Sequence, residues 1–160
     1  MALRLGEHSG GARWWDRAAL SSKVLHHLYR HLYAKRMPED FAAAGLLHDV
    51  GELVLLRNQP DAYQAVVKRW ESNPETPLEC YEQEAFGVSH AHLGGYLLDW
   101  WNLPACHIEA CLYHHDPLCR GVHSTEMVAL IHIGEVLAWR LENREAHPVG
   151  IVDGAAVRAV

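Results

Sequence analysis

No two of the four cysteines are spaced as a CxxC pair. Cys80, Cys106, Cys111 and Cys119 lie scattered along the chain. The opening MALRLGEHSGGARWW has no apolar core of a secretory signal. No stretch approaches the roughly 18–20 consecutive apolar residues that a membrane span requires. Together these absences lead to the expectation of a cytoplasmic protein with reduced thiols and no membrane partner. Runs of like charge are also missing, so there is neither a polybasic patch nor a charged tail. Basic residues number 14 against 20 acidic ones, a formal charge of −6. Nucleic-acid binding rests on a positive surface, so no nucleic-acid partner is expected. Strand alternation is absent and Val/Ile/Thr runs are short, which leaves an all-α chain.

What remains is 160 residues, 49% of them hydrophobic, enough for one substantial core. One helical domain over residues 1–145 is expected, followed by a weakly patterned tail, 146–160. A first helix is predicted over about residues 14–35. Pro38-Glu39-Asp40 opens a second, because proline and acidic residues suit a first turn. It runs through residues 44–56, AGLLHDVGELVLL, with Gly51 as its kink or break. Pro60-Asp61 begins a third helix, Thr76-Pro77 a fourth that ends at Gly87, and Ser89 caps a fifth. A sixth spans about residues 104–115, stopped by Asp116-Pro117. Ser124-Thr125-Glu126 starts the last, whose stripe of Met127, Leu130, Ile131, Gly134, Leu137, Ala138 and Leu141 faces a core.

Histidine is the abundant oddity, 13 residues, several beside carboxylates. His48 and Asp49 fall inside an apolar run, where an unpaired charge is expensive. On one helix they would point about 100° apart, converging only on a site between them. A buried His–Asp hydrogen bond would meet the cost, and so would a metal ion. Tyr113-His114-His115-Asp116 closes the sixth helix, His90 opens the fifth, and Glu135 lies at the edge of the last helix's stripe. Imidazoles and carboxylates from four helices suit a divalent transition metal, iron, manganese, zinc or nickel. His107, Cys111 and His114 share one face of the sixth helix, a second and weaker zinc candidate. Trp100-Trp101 reads as core packing with one exposed ring; His123, His132 and His147 read as surface residues.

At this point a resemblance becomes specific. FAAAGLLHDVGELVLL, from Phe41, is similar to the core motif of HD-domain proteins. EQEAFGVSHAHLGGYLLDWWNLPACHIEACLYHHDP, from Glu82, resembles the HDOD domain, a relative of the HD-GYP phosphodiesterases of bacterial signalling proteins. The matching points are Glu84, Gly87, His90, Gly94, Trp101, Leu103-Pro104 and His114-His115. The last helix, MVALIHIGEVLA, is similar to the family's closing helix, with Glu135 at an acidic position. The resemblance implies an HD-like helical bundle of about six or seven helices. It also implies one or two metal ions held by His48, Asp49, His90, His114, His115 and Glu135, which activate water against a phosphoester. His48 and Asp49 would be the catalytic pair, with Asp49 the natural bridge.

The sequence departs from that pattern in four places. The superfamily's upstream histidine stands in a W-x-H-S-like context, and the match here, Trp14-Trp15-Asp16-Arg17, offers Asp16 as the ligand. His27, with His31 one turn on, is the rival, while a solvated helix face is the first reading of His26, His27 and His31, ahead of either role. Glu52 stands where HD-GYP enzymes carry a lysine for substrate phosphate. The Gly-Tyr-Pro segment is missing from HHDPLCRGVHS. A further helical portion, usual ahead of the matched region, has no room here, so a shortened member or a fragment is expected. These departures argue against cyclic di-GMP hydrolysis. The expected function is a regulatory module of signal transduction with a partly degenerate metal site. Its partner would be a signalling protein or a neighbouring domain. The alternatives are a metal-dependent phosphohydrolase acting on a nucleotide or other phosphoester, and a helical domain whose HD and HH pairs are only hydrogen-bonded.

Overall fold

The computed structural model of the chain describes residues 9–142 and residue 157. Among them are eight helices and no strand: α1 (Ser9–Tyr33), α2 (Glu39–Leu47), α3 (Val50–Asn58), α4 (Pro60–Ser72), α5 (Leu78–Phe86), α6 (His90–Trp100), α7 (Ala105–Tyr113) and α8 (Thr125–Glu142). The all-α expectation holds. The helix beyond the expected count arises because residues 44–56 form two helices instead of one kinked helix. The break falls at His48-Asp49, ahead of Gly51. The His48 N–H still donates to the Ala44 carbonyl (2.9 Å), closing α2, while Asp49 turns to φ −100°, ψ 16° and opens α3.

The predicted punctuation operates as physics requires. Pro60 sits in the first turn of α4, where its missing N–H costs nothing. Gly87 ends α5 at φ +71°, a left-handed conformation that disfavours any side chain. The Ser89 side chain accepts the His92 N–H and so starts α6. Pro77 and Pro104 stand at the N-cap positions of α5 and α7, one residue outside the helices proper.

α8 is the central helix. It packs against α1, α7 and α2, and every residue from Met127 to Gly134 is buried. The apolar stripe read from sequence is thus only part of what α8 covers. Leu25 of α1, Ala44 of α2, Ala110 of α7 and Leu130 and Ile131 of α8 form the main core. A smaller cluster of Val50, Leu98 and Cys111 joins α3, α6 and α7. Each fully buried leucine or isoleucine here contributes roughly 1.5–3 kcal/mol. No helix among the described residues is long and apolar enough to cross a membrane. Trp100 and Trp101 both stand out from the core, 71% and 52% exposed, which corrects the expectation that one of them is core. Position 101 follows the last residue of α6, where the chain turns away from the bundle.

Candidate metal centre

The joint between α2 and α3 sets the site. His48 is the C-cap of α2 and Asp49 the N-cap of α3, and both are buried. The Trp14 indole N–H of α1 donates to the Asp49 carbonyl oxygen (3.2 Å) and ties the joint down. α3 lies against α6 at two glycines. A Cβ at Gly51 would fall on the His90 carbonyl, and one at Gly94 would meet the Cys111 sulfur at 2.5 Å. That close approach sets His90 beside Asp49.

Six of the seven sequence-derived ligands come together, in two neighbouring sets of three. His90, His114 and His115 offer ligand atoms within 4.8 Å of one another, and so do His48, Asp49 and Glu135. Asp49 joins the sets. Its Oδ1 lies 3.3 Å from His114 Nε2 and 3.8 Å from His90 Nε2, and its Oδ2 lies 3.2 Å from His48 Nε2. The seventh, Asp16, is exposed on α1 and joins neither set; its rival His27 is exposed as well. The residue of that turn that reaches the site is Arg17. It pairs with Glu52, and its guanidinium lies 3.9 Å from Asp49 Oδ2.

Hydrogen bonds fix the tautomers. A carbonyl oxygen can only accept, so His48 Nδ1 donates to Gly45 (3.1 Å) and His114 Nδ1 donates to Cys111 (2.8 Å). In the neutral rings, Nε2 is then a lone pair, and both Nε2 atoms turn toward Asp49. Both are fully buried and neither meets a partner in hydrogen-bonding geometry. His90 is oriented by a carboxylate that sequence reasoning missed. Glu82, fully buried on α5, accepts both the His90 backbone N–H (2.8 Å) and its Nδ1–H (2.7 Å). His90 Nε2 then faces His115 Nε2 at 3.0 Å. Imidazole lone pairs and a carboxylate converging in this way repel one another unless a cation or protons lie among them. Nδ1 held by a carbonyl or carboxylate with Nε2 turned inward is the arrangement that metal-binding histidines use. The residues therefore fit a metal ion.

Ionisation follows from the same contacts. Burial opposes charge on Asp49, but the His48 and His114 rings, where their Nε2 atoms carry protons, outweigh it and hold the carboxyl well below the usual range. Burial likewise disfavours charged His90 and His114; Glu82 raises the first above the ordinary imidazole value and Asp49 raises the second. His115 is held well below that value by loss of water around the ring and by its neighbours His114 and His90. Burial pushes the Cys111 thiol far up, and its S–H donates to the His48 carbonyl (2.9 Å). It is a packed thiol of the site wall, and it joins no metal-binding set with His107. His132, expected at the surface, is buried, and its Nδ1–H donates to the His114 carbonyl (2.8 Å). His123 is exposed as expected, and His147 lies outside the described residues.

With this geometry in view, the comparisons are specific. The HDOD domain model matches residues 4–117. The chain belongs to the HDOD family. Its fold is similar to that of an HDOD domain protein of unknown function from Geobacter sulfurreducens, with TM-score 0.71 and 21% identity over 93% of this chain and 53% of that one. It is also similar to a candidate phosphohydrolase from Shewanella amazonensis (TM-score 0.70, 15% identity, 89% of this chain, 51% of that one). A third likeness is to the MmoQ response regulator of Methylococcus capsulatus (TM-score 0.66, 22% identity, 92% of this chain, 56% of that one). This HDOD chain spans about half the length of each of these structures. No curated protein matches it. The family match ends at Pro117, so α8, with Glu135 and His132, lies beyond it.

Proposed function

We propose that this HDOD domain is a regulatory module of signal transduction that retains a metal centre but does not turn over phosphoesters. His48, Asp49, His90, His114, His115 and Glu135 would hold one or two divalent transition metal ions. When bound, such an ion supplies Lewis-acid polarisation and a lowered pKa for bound water. The observation that carries the regulatory reading is the pair Arg17–Glu52. At the Glu52 position the HD-GYP pattern carries a lysine to meet substrate phosphate. Here a buried glutamate stands at the expected lysine position, and the guanidinium beside Asp49 is engaged by it. A phosphate approaching this edge meets a carboxylate whose countercharge is already assigned. The likeness to a response regulator supports a partner that is a signalling protein or a neighbouring domain.

The specific observation behind the second reading, a metal-dependent phosphohydrolase acting on a nucleotide or other phosphoester, is the convergence of all six ligands. One assay separates the two. With Mn(II) supplied, neither bis-p-nitrophenyl phosphate nor cyclic di-GMP should be hydrolysed above the buffer rate. Metal-dependent hydrolysis that disappears in Asp49→Ala would overturn the regulatory reading in favour of the hydrolase.

A further inference from the structure

We infer that Arg17 is a built-in cation on the Oδ2 side of Asp49 and limits the centre to a single metal ion. The inference rests on the metal-binding reading above and makes it more specific. Asp49 has two oxygens with different surroundings. Oδ1 faces His114 and His90, from the set that His115 completes. Oδ2 faces His48 and Arg17. A bridging aspartate would need a metal ion on each side. On the Oδ2 side the guanidinium is already 3.9 Å away, on a side chain only one-third exposed.

Glu52 holds it there. The Glu52 side chain is 9% exposed, so it needs a countercharge, and among the described residues Arg17 supplies it. An arginine cannot give up its proton to make way for a metal. Nor can it swing freely into solvent without taking from buried Glu52 its ion partner among the described residues. A divalent ion held by His48, Asp49 and Glu135 would therefore stand against a fixed positive charge in a poorly solvated place, while an ion on the Oδ1 side is screened from it by the aspartate. Asp16, the residue that could have added a negative ligand from the same turn of α1, points to solvent.

The test is metal stoichiometry on the full chain, using Mn(II) alone as probe, read by elemental analysis and electron paramagnetic resonance. The wild type should bind one ion per chain and give the six-line signal of isolated Mn(II). Arg17→Gln should bind a second ion at least ten-fold more tightly than the wild type, with an exchange-coupled signal. Arg17→Lys, which keeps the cation, should stay at one ion. Arg17→Met serves if the glutamine variant does not fold. Two ions in the wild type, or one in both neutral variants, overturns this inference alone. No ion in any of them overturns the metal-binding reading as well.

Discussion

Glu82 decides more about the site than its sequence context announces. It lies on α5, fully buried, and takes two donors from His90, one backbone and one ring. It fixes which nitrogen of His90 faces Asp49, and it raises the proton affinity of the ring. The resemblance draws attention to Glu84, which is exposed and paired with Arg69 at 2.9 Å on the far side of α5. Two residues of helix, about 200°, separate a site residue from a surface one. Replacing Glu82 with Gln should lower Mn(II) affinity 10–100-fold, the usual cost of losing such a partner, as measured by titration calorimetry. Unchanged affinity would mean that His90 needs no orienting carboxylate. Arg17 was equally hidden. Read along the chain it is one more surface arginine near a candidate ligand, and its meaning depends on Glu52, 35 positions away.

At the scale of the helices, the site depends on two joints. The first is the glycine contact of α3 with α6. A methyl at Gly51 meets the His90 carbonyl and the Gly94 N–H, which are backbone and cannot rotate aside. Gly51→Ala should therefore cost at least about 2 kcal/mol by denaturant melts and should weaken Mn(II) binding at the same time. A stability loss with unchanged binding would separate the helix contact from the site. The second joint is the start of α8. Glu109 of α7 accepts the backbone N–H groups of His123 and Ser124, acting as a cap supplied from another helix. Burial of Glu109 opposes its charge, but these donors prevail and hold its pKa below the ordinary value. A depressed pKa in the folded state means stability that is complete above the unfolded value and lost as pH falls through the folded one. Glu109→Gln should then lower the Tm at neutral pH, by roughly 1–2 kcal/mol of stability. The difference from wild type should vanish in acid below the folded pKa. A difference that persists there would assign the effect to packing.

For the whole molecule, the centre is a cross-brace. Its side chains come from the α2–α3 joint, α6, the end of α7 and α8, so an ion bound among them must favour the folded chain. At a hundred times its Kd, an ion adds about 2.7 kcal/mol. For a domain of this size that is a rise of roughly 5–10 °C in Tm. Adding Mn(II) should produce that rise and EDTA should reverse it. His114→Ala should abolish the response, because His114 faces Asp49 Oδ1 at the centre of the cluster. A melting temperature indifferent to Mn(II) and to EDTA would return the HD and HH pairs to plain hydrogen bonding.

By itself the sequence determined the all-helical class, the main helix boundaries and six of the residues that meet at the centre. These are legible because helical periodicity, proline and glycine punctuation and short motifs are local properties of the chain. Only the tertiary structure decided how those residues face one another. It put the break at His48-Asp49 instead of Gly51, turned Asp16 outward and Arg17 inward, and buried Glu82 and His132 behind the ligands. Those outcomes depend on which helix lies against which, and on burial that leaves a carboxylate no choice but to find its partner. Periodicity says which residues share a face; it does not say which charge waits opposite them.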